Sequence, residues 1–261
     1  MGLTTKTKVD VVLGLPTHDG TWVWETTHCI ERMAQYCAGK VSMVALRRQR
    51  EPVAEARSGM VNDALELGAK WILFIDSDMT FPEDALERLM SHDVDIVSGM
   101  AVKCSPPFTI CSSVTENEWE HFYPVGTSDC PTPLPEDGLM EISGCGGAFM
   151  LVKTEVLKKM EKPHFSQWFN KRGYAIGEDF NFCRKATLEA GAKVYLDTDL
   201  DIGHVHPAIY WPKHFFQHRA AEARAKMNAE IEKHADDQIL NQLAEQNKMS
   251  IDQKMDKAII N

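Results

Sequence analysis

Trp71-Ile72-Leu73-Phe74-Ile75-Asp76-Ser77-Asp78-Met79-Thr80-Phe81 is the stretch that decides how this chain folds. A short apolar run of this kind reads as a strand buried inside a parallel sheet, and it stops at two carboxylates. Strand side chains alternate, so Asp76 and Asp78 are expected on the same side. Ligands of open α/β sheets bind outside the carboxyl ends of the strands. Two hard oxygen donors there suit a divalent cation, and a cation there suits a diphosphate. Three other Asp-x-Asp tripeptides begin at Asp93, Asp197 and Asp199. They lack the apolar strand and the helix cap behind it, and they read as solvated turns.

The neighbouring segments support an alternating β/α order. Pro52 opens a helix over Val53 to Leu67, and Gly68 stands where a C-terminal cap glycine belongs. Thr80 and Glu83 have capping-box spacing, which predicts a helix starting beside the acidic pair and running to about His92. Upstream, Val9 to Leu15 reads as the first strand, closed by Pro16 and the polar loop Thr17 to Gly20. A helix from Trp24 to Cys37 and a strand from Val41 to Leu46 follow, an order that favours parallel pairing. Downstream, Asp95 to Val102 is the next strand. Residues 104–140, rich in Pro, Ser and Thr, read as a long surface excursion with a hairpin, where an acceptor-facing insertion would sit.

Order resumes over Glu141 to Lys153, where glycines permit close backbone approach. A short helix follows Thr154. Gly177 to Gly191 reads as loop, helix and terminating glycine, Lys193 to Asp197 as a strand, and Ile202 to His206 as a further extended segment. From Pro212 the sequence is polar and helix-favouring. The expected organisation is an α/β domain over residues 1–211 and a C-terminal helical extension over 212–261. The extension suits packing or self-association, so a homo-oligomer through these helices is expected.

Composition narrows the class of partner. The 261 residues carry 44% hydrophobic and 25% charged residues, ordinary for a soluble globular enzyme. The net charge of −10 disfavours a broad nonspecific grip on duplex DNA. No run approaches the roughly 20 apolar residues of a membrane span. Seven cysteines without regular spacing, after a start with no apolar h-region, imply reduced thiols and a cytoplasmic location, the host cytoplasm if the chain is viral.

In chain order, the residues that stand out are Pro16-Thr17, Ala56-Arg57-Ser58 with Asn62 and Ala64, Leu73 to Asp78, Gly146-Gly147-Ala148-Phe149-Met150, Gly177-Glu178-Asp179 and Gly203-His204. This ordered set resembles glycosyltransferases of the GT-A fold, close to the family 2 type, with a layout similar to compact phage-encoded members and Anp1-type mannosyltransferases. The resemblance spans about residues 9–206. It implies a Rossmann-like sandwich with a mixed, mainly parallel sheet flanked by helices, and a nucleotide-sugar donor whose sugar passes to a hydroxyl acceptor. It also implies Mn²⁺ or Mg²⁺ at Asp78, with Asp76 near the ribose or bound to the metal through water, and Ser77 between them at the donor. A later histidine completes such metal shells, which suggests His204, with His206 the competing choice because alternation places both imidazoles on one side.

An inverting transfer needs a general base at the acceptor hydroxyl. The family pattern puts that role on Asp179, with Glu178 in support, although acidic residues at a helix N-terminus are also favoured by its dipole. The family carries Arg at position 57, commonly followed by Asn; this chain has Ser58. Arg57 is expected near the diphosphate or base, or in a structural ion pair. Thr17 and Asp19 are candidate nucleotide contacts. His214 and His218 have i,i+4 spacing but no Glu beside them, so zinc is not expected there.

Two other functions compete. A nucleotidyltransferase making nucleotide sugars needs a Gly-rich, basic phosphate loop after its first strand, which Pro16 to Gly20 does not provide. A non-catalytic nucleotide- or carbohydrate-binding module does not require a positioned base. The acceptor stays open among a hydroxymethylated base in phage DNA, a glycan and a protein. A DNA acceptor would draw on Arg47, Arg48, Arg50, Lys171 and Arg172 and would need its base extruded.

Overall fold

The computed structural model describes residues 9–116, 119–135, 138–206 and 208–228, with the backbone alone for 206 and 208–210. One compact unit reaches to Phe215 and a second begins at Phe216. In chain order the first unit contains β1 (Val11–Thr17), α1 (Trp24–Tyr36), β2 (Met43–Gln49), α2 (Val53–Leu67), β3 (Trp71–Ile75), β4 (Met79–Thr80), α3 (Ala85–Ser91) and β5 (Ile96–Ala101). Next come β6 (Ser112–Glu116), β7 (His121–Pro124), β8 (Leu139–Ile142), β9 (Gly144–Cys145), β10 (Phe149–Lys153) and α4 (Thr154–Leu157). Last are β11 (Trp168–Phe169), β12 (Ala175–Ile176), α5 (Glu178–Ala190), β13 (Val194–His206) and β14 (Ala208–Tyr210). Residues 212–228 are helical, and residues 229–261 of the expected C-terminal extension lie outside the described residues.

The central sheet runs β14-β13-β5-β10-β3-β1-β2. Strands β2, β1, β3, β5 and β13 share one direction, and β10 runs against β3 and β5 between them. The expected fold class, an α/β sandwich with a mixed, mainly parallel sheet, is the one that forms. Alternation along β1 and β3 divides the core in two. Val12, Ile72 and Phe74 face Met60, Val61 and Ala64 of α2, and share that layer with Phe182 and Ala186 of α5. Val11, Leu13, Leu73 and Ile75 face the layer of Met33, Leu86 and Leu89, from α1 and α3. At roughly 25 cal/mol per Å² of apolar surface removed from water, these two layers supply the main favourable term in folding.

Several expectations change in detail. β1 continues through Pro16 and Thr17, because it stays paired with β2 to Thr17 after its pairing with β3 has stopped at Gly14. Proline is tolerated where one side of a strand has lost its partner. The excursion does hold a hairpin, β6 with β7, and β9 adds a third strand to it. α2 ends at Gly68 and α5 at Gly191, both with φ in the left-handed range (69° and 66°), where glycine avoids a steric penalty.

The capping box does not form. Thr80 lies in β4, which pairs antiparallel with β13, and α3 starts only at Ala85 with no side-chain cap. Glu83 instead accepts from Arg32 Nε at 3.0 Å. A sheet pairing made far away in sequence has overridden the local helix signal.

The solvated-turn reading of Asp197 is also overturned. Asp197 is fully buried inside β13, at the point where its register with β5 shifts. Arg88 donates to both its oxygens, at 2.7 and 2.9 Å, and His92 Nε2 lies 2.8 Å from Oδ2. Burial pushes this carboxyl up, but the hydrogen bonds from Arg88 and His92 and the charge of Arg88 outweigh it, so the net shift is downward. A depressed native pKa gives stability that is present above the unfolded value and is lost as pH falls through the folded one. Replacing Arg88 by Met would leave the buried carboxylate with only His92 and the Asp199 N–H as partners, and urea unfolding at pH 7 is expected to show a loss of about 3 kcal/mol. The deficit should shrink as pH drops below about 4 and Asp197 protonates in both states.

Candidate active site

β1 is followed by a crossover toward β2, and β3 by one in the opposite direction toward β5, so the carboxyl ends of β1 and β3 flank a topological switch point. Crevices of this kind hold ligands in open α/β sheets. A cavity of about 180 Å³ opens there, walled by Pro16 and Thr17 from β1, Glu51, and Asp76, Ser77 and Asp78 from the end of β3. A second cavity, about 240 Å³, is walled by Lys103, Gly147, Asp179 and His204 among others. Asp76 belongs to both walls.

Arg57 is the centre of the arrangement. It projects from α2 and is 2% exposed. Nη2 donates to Asp76 Oδ1 at 2.7 Å and Nη1 to Glu178 Oε1 at 2.6 Å. The planar fork of arginine suits such a bridge in a way a lysine ammonium does not. The guanidinium lies 5.9 Å from the Phe165 ring centroid, and Phe165 stacks on Phe182 at 4.3 Å. Ser58, where the family commonly has Asn, holds this support in place by accepting the Phe165 N–H at 3.0 Å. Burial alone would lower the Arg57 pKa, but the charges of Asp76, Asp179 and Glu178 more than offset it. The ion pair, one of the two roles expected for Arg57, is formed by these contacts.

Glu178 and Asp179 open α5. Burial pushes the Glu178 carboxyl up and the charge of Asp179 adds to this; the charge of Arg57 opposes both, and the net shift is upward. Asp179 is held differently. Its Oδ2 accepts the Gly147 N–H at 3.3 Å and its Oδ1 the Phe180 N–H at 2.8 Å. Two backbone donors thus orient a carboxylate that borders the second cavity.

His204 arrives through the β4–β13 pairing, in which it sits opposite Met79. Its Nδ1 lies 3.2 Å from the Val102 carbonyl and its Nε2 3.2 Å from Asp78 Oδ2. The carbonyl can only accept, so Nδ1 carries the proton and Nε2 is left to Asp78 or a cation. Burial lowers the His204 pKa, but the hydrogen bond and charge of Asp78 outweigh it and the net shift is upward. The side chain of His206, the competing ligand, lies outside the described residues.

These donors fit a hard divalent cation. Two cis ligands of an octahedral ion at about 2.1 Å stand about 3.0 Å apart, close to the separation of Asp78 Oδ2 and His204 Nε2. Among the described residues no group of three or more His, Cys, Asp or Glu gathers as a metal set, and one oxygen of Asp76 is taken by Arg57. Mg²⁺ and comparable ions keep several waters and bind through one or two protein ligands plus phosphates, so a two-residue set is chemically sufficient.

The remaining candidates fall at different distances from the centre. Thr17 and Ser77 line the first cavity, and Thr17 Oγ1 donates to the Thr21 carbonyl at 2.9 Å. Asp19 is exposed and is not part of that wall; its Oδ1 accepts from Thr21 N–H at 2.8 Å and Thr21 Oγ1 at 2.6 Å. Arg48, one of the cations considered for DNA, is committed to Asp63 at 2.9 Å. Sequence reasoning missed Phe165 and Lys103 and gave Gly147 no individual role. Gly147 was visible only as part of a glycine-rich turn, and Lys103 as the charged residue directly after a buried strand.

No described protein family and no curated protein sequence matches the chain. Among solved structures, it is similar to A197 from STIV at 20% identity, covering 76% of this chain and 86% of that one, with a TM-score of 0.48. It is similar to S. aureus TarS 1-349 at 14% identity, covering 73% and 60%, with a TM-score of 0.39. UDP-glucose pyrophosphorylase complexed with UDP-glucose shares 8% identity over 83% of this chain and 99% of that one, with a TM-score of 0.40.

A Cβ on Gly147 would stand 2.6 Å from Arg57 Cζ and 2.7 Å from Nη1. Gly147→Ala must therefore displace the fork from Asp76 and Glu178, and Arg57→Lys would leave one of them unpaired. Both variants are expected to lose about 2–4 kcal/mol in urea unfolding. A loss below about 0.5 kcal/mol in both would show that the bridge does not carry stability.

Proposed function

We propose that the chain is a nucleotide-sugar-dependent enzyme of the GT-A glycosyltransferase type, active with Mn²⁺ or Mg²⁺. One observation carries the reading: Asp76 borders both cavities, with Asp78 of the Asp78–His204 pair in the first and the oriented carboxylate of Asp179 in the second. A nucleoside diphosphate fits the β1–β3 crevice, where Thr17 and Ser77 border it. The sugar then points past Asp76 toward Asp179, and the acceptor enters through the second cavity.

A divalent cation held by Asp78 and His204 would neutralise charge on the diphosphate oxygens. Asp179 takes the proton from the acceptor hydroxyl as its oxygen bonds to the anomeric carbon. The bond from that carbon to the diphosphate oxygen breaks on the opposite side, so the product has inverted configuration. The N–H groups of Gly147 and Phe180 keep the Asp179 carboxylate aimed during this step. Arg57 withdraws Asp76 and Glu178 from the proton chemistry by binding both. The acceptor is a hydroxyl of a glycan, a protein or a modified DNA base. The helical C-terminal segment is the candidate surface for self-association.

The test is release of nucleoside diphosphate from a panel of nucleotide sugars with Mn²⁺. Hydrolysis is expected and should be abolished by EDTA. Asp78→Ala and His204→Ala should lower it about a hundredfold or more. Asp179→Asn should lower transfer by about 10²–10⁴ while donor binding measured by calorimetry is kept. Turnover that requires pyrophosphate would instead identify a nucleotidyltransferase. Metal-independent binding of a sugar nucleotide without turnover would identify a binding module.

A further inference from the structure

The site is short of positive charge. Asp76, Asp78, Glu178 and Asp179 gather around it, and both ends of the Arg57 fork are taken by Asp76 and Glu178. Among the described residues, Lys103 is the one lysine or arginine whose side chain helps to wall either cavity. Pairings on both sides hold its backbone. Val102 bridges to Ile110, and the Lys103 N–H donates to the Thr109 carbonyl at 3.0 Å. The carbonyl just before it, that of Val102, is the one His204 meets at 3.2 Å. Lys103 therefore stands one residue from the anchor of the histidine that faces Asp78. Its side chain is exposed, and none of the described carboxylates pairs with it.

We propose that Lys103 grips the terminal phosphate of the nucleoside diphosphate and stabilises it as the leaving group. The inference rests on the glycosyltransferase reading and names a residue that reading does not use. When the bond between the anomeric carbon and the phosphate oxygen breaks, its electron pair stays on that oxygen and the diphosphate gains one negative charge. The Lys103 ammonium donates hydrogen bonds to the phosphate and keeps its proton throughout. Its flexible four-carbon stem lets a point charge follow the group as it departs. A lysine serving the acceptor would act on the opposite partner, so the two roles separate by experiment.

The measurement is calorimetric binding, with Mn²⁺ present, of UDP, GDP, CDP and dTDP and of the corresponding monophosphates. Wild type is expected to bind at least one diphosphate more tightly than its monophosphate. Lys103→Gln should weaken that diphosphate by about tenfold or more, the scale of a lost hydrogen bond to a charged group. It should change the monophosphate by less than about twofold. Lys103→Arg should restore most of the preference, and kcat for hydrolysis should fall in Lys103→Gln in parallel with it. An unchanged preference for diphosphate in Lys103→Gln, or an effect confined to acceptor KM, overturns the role of Lys103 and leaves the glycosyltransferase reading standing. Failure of wild type to bind any of the four diphosphates overturns both.

Discussion

A buried guanidinium bound to two carboxylates is the constraint on which the rest of the site depends. Burying an unpaired charge costs several kcal/mol, so Arg57 can occupy its place under the sheet end only while Asp76 and Glu178 stay on it. The bridge joins three elements that are distant in sequence: α2, the turn after β3, and the start of α5. Replacing all three side chains by apolar residues of similar volume would cost little stability by this accounting. What the ions add is position. They fix the turn that carries Asp78, two residues after Asp76, and the helix start that carries Asp179, directly after Glu178. The absence of a side chain at Gly147 and the stacked rings of Phe165 and Phe182 leave the fork one place to lie.

The second constraint is the two-residue strand β4. Thr80 is a good N-cap by type and spacing, and a helix starting there would have agreed with local propensity. Pairing with β13 wins because it brings a whole strand end onto the turn, with Gly203 opposite Thr80 and His204 opposite Met79. The Thr80 hydroxyl is left buried without a partner, a local cost. In return His204 meets Asp78 across 126 residues of sequence. Local signals and site assembly conflict here, and a functional centre is where such conflicts are expected.

Much of the architecture could be read from residues alone. Strand β3 announces itself by five apolar residues, and helices α2 and α5 by the glycines that end them. The order of the site residues along the chain was legible too. The partners were not, because a periodic pattern reports which face of an element is apolar and not which distant charge meets it. Asp197 shows this best: in sequence it is one of several Asp-x-Asp repeats, and only the packing of α3 against β13 makes it a buried acceptor for Arg88. The same holds for Arg57, whose two acceptors lie 19 and 121 residues away. Lys103 sits at the edge of a proline-rich stretch with no periodicity, where sequence offers no face to assign.

Both acidic pairs divide in the same way. One member of each, Asp76 or Glu178, is bound to Arg57 and the other, Asp78 or Asp179, is not; Asp78 and Asp179 each border one cavity, and Asp76 borders both. Four carboxylates so close would repel one another strongly if all were free, since two like charges 4 Å apart at an effective dielectric of about 20 cost roughly 4 kcal/mol. Arg57 relieves that repulsion in the two members it binds. The remaining two keep the site negative, which by itself disfavours a diphosphate. For the proposed diphosphate to bind here, it must arrive with positive charge or meet it there. On the proposed reading, Asp78 with His204 would hold a divalent cation, and Lys103, which borders the second cavity together with His204, would supply an ammonium. The electrostatics that assemble the fold around Arg57 also determine what the cavity beside it can accept.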